Sequence, residues 1–129
     1  MRRMSFFLTP RQLLAGTKTV TRRFSWDSLM PGDEVLAVHK CQGLKKGEKQ
    51  RVLAKLRVTS SYALRLNDGS DDREAALEGF PHMTWSEFVA FFCKANKCDP
   101  DATVNRIAFE VIEQYVTLEA WDAEHRRAA

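Results

Sequence analysis

At 129 residues, 44% of them hydrophobic and 29% charged, the chain is sized for one globular domain with its own core and is not of disordered composition. No apolar run approaches the roughly 18 residues that cross a bilayer, and Phe6-Phe7-Leu8 is cut by Thr9-Pro10-Arg11 before it reaches signal-peptide length. Net charge is only +3, but residues 1–57 hold 13 Lys/Arg against 4 Asp/Glu while residues 58–129 hold 7 against 13. The asymmetry fits a basic face suited to phosphate-bearing partners, and equally two halves that neutralise each other on folding. Three cysteines, Cys41, Cys93 and Cys98, make an odd, irregularly spaced set. They argue against a disulfide framework and for a reducing, cytoplasmic setting. With His39, His82 and His125 scattered singly, no metal or other cofactor is expected.

In chain order, Thr9-Pro10-Arg11-Gln12 places a hydroxyl at the N-cap, proline at the first helical position and glutamine at N3, predicting a capping box. Gly16 is suited to the left-handed position that closes this short helix. Thr19 to Phe24 is β-branched and alternating, and predicts an extended segment. Pro31-Gly32-Asp33 is a turn, and Glu34 to His39 a strand. The glycine- and lysine-rich loop 43–49 then leads into an alternating strand over 52–58, giving a hairpin with a basic tip. Asn67-Asp68-Gly69-Ser70 predicts a turn, and Asp71 to Leu77 a short helix stopped by Gly79. Thr84-Trp85-Ser86-Glu87 is a second capping box, followed by an apolar stripe of Trp85, Phe88, Val89 and Phe92 on a helix reaching Asn96. Val104 to Val116 predicts a strand, and Leu118 to Arg127 a terminal helix. Strands outside a regular βαβ alternation indicate an α+β protein with a mixed or antiparallel β-barrel and short helices at its rim.

The chemistry concentrates in Gly16-Thr17-Lys18-Thr19-Val20-Thr21-Arg22-Arg23. A helix ends at Gly16, Lys18 sits on the connection, and Thr19, Thr21 and Arg23 recur at the period of one strand face. A cation, hydroxyls and a guanidinium so close together can gather round an anionic or carbonyl-bearing ligand. They are also what a solvated strand face commonly carries.

Gly16-x-Lys18-x-x-Thr21-x-Arg23, followed about ten residues later by Gly32-Asp33 and a strand, resembles the opening of ASCH domains. Glu78-Gly79-Phe80 before a helix and the strand Arg106-Ile107-Ala108-Phe109-Glu110 resemble the later landmarks of that family. The likeness runs from about residue 7 to 111 of a single domain, 1–129, leaving 112–129 as a helical extension. It implies a PUA-like β-barrel and a ligand derived from RNA. Some small family members are amidohydrolases that deacetylate N(4)-acetylcytidine with a Lys, a Thr and a Glu. By motif these are Lys18, Thr21 and Glu78, with Arg22, Arg23, Thr19 and Trp26 as ligand-binding neighbours. The chemistry so implied has Thr21 as nucleophile, Lys18 as its base and Glu78 as the acid for the leaving nitrogen. The alternatives that the resemblance leaves open are an RNA or modified-nucleotide binding module without turnover, and a ribonuclease.

Among the remaining candidates, Trp26 lies in a loop and suits a ligand wall, whereas Trp85 belongs to the helical stripe and to the core. Trp121 is expected to anchor the terminal helix. Lys45, Lys46, Lys49 and Arg51 at the hairpin tip suit weak contact with an RNA backbone, or simply solvent. His82 either borders the site or is an exposed loop histidine, and nothing near Cys41 in sequence would activate its thiol.

Overall fold

The computed structural model describes residues 1–68 and 71–126. Its elements are β1 (Arg3–Ser5), α1 (Pro10–Ala15), β2 (Val20–Arg23), β3 (Glu34–Val38), β4 (Val52–Arg65), α2 (Asp72–Leu77), α3 (Trp85–Asn96), β5 (Thr103–Gln114) and α4 (Leu118–Glu124). The strands form one sheet in the order β1-β3-β4-β5-β2. β1 runs parallel to β3 and every other pairing is antiparallel, so the sheet is mixed and curls into a half-barrel. No helix among the described residues is long and apolar enough to cross a membrane.

Two elements exceed what periodicity predicts. β1 is a three-residue strand in the basic opening, too short to show an alternation of its own. β4 runs seven residues past Val58, because a register shift between Val58 and Ser60 interrupts the in-out alternation exactly where the sequence turns polar. The strand predicted over 104–116 stops at Gln114, and the terminal helix at Glu124; Arg127, Gly69 and Ser70 lie outside the described residues.

The inner face of the sheet carries the larger core, including Leu53, Leu56, Val58, Ile107 and Phe109, capped by Leu13 and Leu14 of α1 and Trp121 of α4. A second core lies under α3, where Trp85, Phe88, Val89 and Phe92 pack on Leu66, Ala75 and Val104. The predicted stripe is thus buried as a unit. The Thr84 box forms in full: Glu87 N–H donates to Thr84 Oγ1 at 3.2 Å and Thr84 N–H to Glu87 Oε1 at 2.9 Å.

The box predicted at Thr9 does not form. Proline occupies N1 as expected, but the Thr9 side chain makes no capping hydrogen bond. Gln12 instead donates its amide to the carbonyl of Gly79 at 3.2 Å, tying α1 to the turn that follows α2. At that turn Gly79 has φ +104, and a Cβ there would lie 3.2 Å from Thr9 Cγ2 and 3.3 Å from Gln12 Cβ. Both the left-handed backbone and the close approach of α1 require glycine. Gly79→Ala is expected to cost about 1–3 kcal/mol, the usual range for a side chain forced into such a conformation. Urea denaturation measures it, and an unchanged midpoint would mean that the turn relaxes freely.

Candidate functional site

The two outer strands of the sheet, β1 and β2, meet across the open side of the half-barrel. Arg23 closes this seam: its Nη2 donates to the Ser5 carbonyl, its Nε donates to Thr21 Oγ1 at 3.1 Å, and its guanidinium lies 4.8 Å from the Phe6 ring centroid. Behind the seam is a cleft of about 390 Å³, within the ~300–1,000 Å³ typical of small-molecule sites. Lys18, Thr21, Arg22, Arg23 and Glu78 contribute to its lining. Its apolar walls are Phe7, Phe24, Trp26, Phe80, Phe91 and Phe92.

Local structure explains how residues far apart in sequence reach this cleft. Gly16 adopts φ 80 and ends α1, and the next two amides, of Thr17 and Lys18, both donate to the Gln12 carbonyl. Thr19 N–H then donates to Leu77 O at 3.0 Å, stitching the α1–β2 connection to the end of α2. Glu78, immediately after α2, is thereby held against Lys18. The Lys18 ammonium donates to the Glu78 carbonyl at 2.6 Å and lies 3.4 Å from Glu78 Oε1. From the other side Arg22 Nη1 donates to Glu78 Oε2 at 2.8 Å.

The pairing extends outward. Arg22 Nη2 donates to Glu74 Oε1 at 2.6 Å, and Arg106 of β5 grips the same carboxylate through Nε at 2.8 Å and Nη2 at 3.1 Å. Alternating charges therefore run from Arg106 through Glu74, Arg22 and Glu78 to Lys18. The inner members are almost dry: Lys18 is 4% exposed, and Thr21, Arg22 and Glu78 3% each. Arg22 also lies over the ring of Trp85, its guanidinium carbon 4.7 Å from the ring centroid.

Burial pushes the Lys18 ammonium below the ordinary lysine range, against the opposing pull of Glu78; Arg23 and Arg22 push it further in the same direction. Burial brings Arg23 down to about 10, which leaves it charged at neutral pH. Glu74 is drawn down to about 2, chiefly by its hydrogen bonds with Arg106. Counting Lys18, Arg22, Arg23 and Glu78, the floor of the cleft holds three cationic groups and one carboxylate, a setting that stabilises negative charge developing on a ligand.

Of the residues named from sequence, Lys18, Thr21, Glu78, Arg22, Arg23 and Trp26 all line this cleft. Arg22 differs in role from a ligand-binding arginine: its side chain has no exposed surface and is spent on Glu78 and Glu74. Thr19 is not part of the lining; it sits before β2 and acts through its backbone, accepting from Phe109 N–H as well as donating to Leu77. Lys45, Lys46, Lys49 and Arg51 stand away from the cleft. Lys45, Lys46 and Lys49 are exposed, while Arg51 pairs with Glu124 at 2.8 Å. His82 is an exposed loop residue outside the lining. The aromatic walls from α3, Phe91 and Phe92 with Asn96 beside them, were not singled out from sequence as cleft residues. Helical spacing puts Phe91 off the core stripe, and that was the available signal. Among the described residues no group of three or more His, Cys, Asp or Glu side chains could hold a metal ion.

The curled mixed sheet with a cleft at its seam and short helices at its rim has counterparts among solved structures. Among solved structures the chain is similar to an ASCH domain from Lactobacillus crispatus JV V101, with 20% identity, a TM-score of 0.55, and 83% of this chain covering 72% of that one. It is similar to the same degree to protein EF3133 of Enterococcus faecalis V583, described under the family model DUF984. There the identity is 22%, the TM-score 0.55, and 82% of this chain covers 71% of the other. No protein-family model and no curated protein matches the sequence. The chain has the ASCH fold, an α+β PUA-like half-barrel.

The pull of Arg106 and Arg22 on Glu74 has a consequence for acid stability. Its folded carboxyl titrates at about 2 against an ordinary value of 4.5, so the stabilisation is complete above about pH 4.5 and is lost as pH falls toward 2. Thermal melts across that window are expected to show a steep acid-side loss that Glu74→Gln flattens. An identical slope in both proteins would contradict this assignment.

Proposed function

We propose that the protein is an amidohydrolase that removes the acyl group from N(4)-acetylcytidine or a closely related acylated pyrimidine nucleoside. The observation that carries this reading is the buried contact of Lys18 with Glu78, at the floor of the same aromatic cleft that Thr21 lines. Flat walls of Phe and Trp suit a pyrimidine ring, and the surplus of positive charge suits the oxyanion of an amide under attack.

The reaction balances with these groups alone. With Lys18 as the neutral amine, the Thr21 hydroxyl gives its proton to Nζ while Oγ1 adds to the acyl carbonyl carbon. Arg23, bonded to Thr21 Oγ1, keeps that oxygen oriented and adds positive charge next to the developing oxyanion. As the carbon–nitrogen bond breaks, the proton crosses from Lys18 to Glu78 and on to the exocyclic nitrogen, releasing cytidine. Water then cleaves the Thr21 ester with Lys18 again as base, releasing acetate. Glu78 is held by Lys18 and Arg22 as a hydrogen-bond acceptor, so it acts as an acid only after receiving the Lys18 proton. Among the described residues no histidine lines the cleft, so phosphodiester cleavage has less to support it than amide hydrolysis.

Incubation with N(4)-acetylcytidine is expected to yield cytidine and acetate in equal amounts. Lys18→Met, which keeps the length of the side chain, and Thr21→Ala are each expected to lower kcat by about 10²–10⁴-fold. Ligand binding without product release would mean a binding module, and full activity in either variant would end this mechanism.

Because Lys18 must lose its proton to act, and its pKa lies below the usual lysine value, kcat/KM is expected to rise with pH along a limb centred below 10.5. That limb belongs to Lys18 if Lys18→Arg abolishes it. A profile unchanged by the substitution would assign the base to another group.

A further inference from the structure

Beyond the seam residues the cleft does not end. Ser5, Phe7, Arg23 and Trp26 also line a second basin of about 570 Å³ on the outer side of the seam. Its remaining lining is Arg3 together with Lys40, Cys41, Gln42 and Gly43, the segment that follows β3. The parallel pairing of β1 with β3 builds this arrangement. Met4 turns into the core, so Arg3 and Ser5 share the opposite face of β1, and the register Ser5↔Val38 brings the exit of β3 alongside them.

Among the described residues the basin is lined by three cations, Arg3, Lys40 and Arg23, and by no carboxylate. Each cation retains capacity for a ligand. Arg3 is exposed and donates to the neutral amide oxygen of Gln50, which leaves its charge uncompensated by that contact. Lys40 pairs with Glu48 at 3.1 Å, but both side chains are partly exposed, and such rim pairs contribute only about 0–1 kcal/mol. Arg23 commits two of its N–H donors, one to Thr21 and one to Ser5. Cations whose nearest paired carboxylate, Glu48, is itself partly exposed, lying beside an aromatic cleft, call for an anion covalently attached to whatever the cleft holds.

We infer that this second basin is a phosphate subsite, formed by Arg3, Lys40 and Arg23, so that the protein prefers a pyrimidine nucleotide to the free nucleoside. The inference rests on reading the aromatic cleft as the seat of a pyrimidine base. With the base behind the seam, the ribose lies across Ser5, Phe7, Arg23 and Trp26, and a phosphate ester on the sugar reaches the basic basin. A mononucleotide and a nucleotide within an RNA strand offer this same group.

Titration of Trp fluorescence with cytidine, cytidine 5′-monophosphate, cytidine 3′-monophosphate and a short cytidine-containing RNA tests the subsite in the absence of any reaction. At least one phosphorylated ligand is expected to bind about tenfold tighter than cytidine at low salt, with the advantage shrinking as salt rises. In Arg3→Ala/Lys40→Ala, both positions lying outside the core, the ratio is expected to fall to about one. A mononucleotide that already shows the full advantage points to a free nucleotide, and a further gain with the oligonucleotide points to a strand; both uphold the subsite. Equal affinities in the native protein, or an advantage that survives the double substitution, would overturn it. Hydrolysis of N(4)-acetylcytidine without any phosphate advantage defeats this inference alone, and a phosphate advantage without hydrolysis defeats the amidohydrolase reading alone. No binding of any of the four ligands would overturn the subsite, and the amidohydrolase reading would then rest on hydrolysis of N(4)-acetylcytidine alone.

Discussion

The molecule is organised around one carboxylate. Glu78 accepts from Arg22 and lies against Lys18 in a place that water hardly reaches, and each of the three would be costly to bury without the others. Removing one partner from such a set generally costs about 3–5 kcal/mol, because the remaining charge keeps its desolvation penalty and loses its compensation. The close turn at Gly79, the Gln12 amide drawn away from its helix cap, and the Thr19–Leu77 hydrogen bond all serve to hold that carboxylate in position. Stability and site chemistry share the same atoms here, so a substitution that weakens one will disturb the other.

The cleft owes its position to the way the sheet stops short of closure. β1 and β2 are the outermost strands, and a side chain joins them where a closed barrel would have a ladder of backbone hydrogen bonds. That side chain, Arg23, touches the hydroxyl of Thr21, the backbone of β1 and the ring of Phe6, and borders both basins. One guanidinium thus links the interior cleft to the outer basic surface. The charge asymmetry between the two halves of the sequence is resolved in both of the ways it suggested. Part of the basic half is neutralised, as in the pairs of Arg22 with Glu74 and Arg51 with Glu124, and part remains exposed beside the seam at Arg3.

The sequence carried the elements well wherever a local interaction determines them. The Thr84 box, the left-handed Gly16, the glycine stop at residue 79 and the α3 stripe are each set by residues within one or two turns of one another. It carried less where the decisive partner is distant. Thr9 has every local mark of a capping residue, yet Gln12, which should complete its box, is claimed by a turn 67 residues away. The extra length of β4 depends on β5, which pairs with it through the register shift. In the same way Lys18, Thr21 and Glu78 were linked to one another only by resemblance, while the different uses of Arg22 and Thr19 follow from three-dimensional neighbours that no spacing reveals. Arg3 and Lys40 gave no signal on their own, since a cation beside a short edge strand looks like any surface cation until the β1–β3 pairing puts the two together.

The strand order has a bearing on how the protein is made. β2 has β5 as its neighbour in the sheet, and β4 finds its most extensive pairing with the same strand, which comes last in sequence among the described strands. Contacts of such long sequence separation form late and slowly. While the polypeptide is still emerging from the ribosome, Lys18, Arg22 and Arg23 are a hydrated cationic stretch on an unpaired segment. They line the floor of a cleft once β5 lies between β4 and β2, so the cleft takes shape only after translation has passed residue 114.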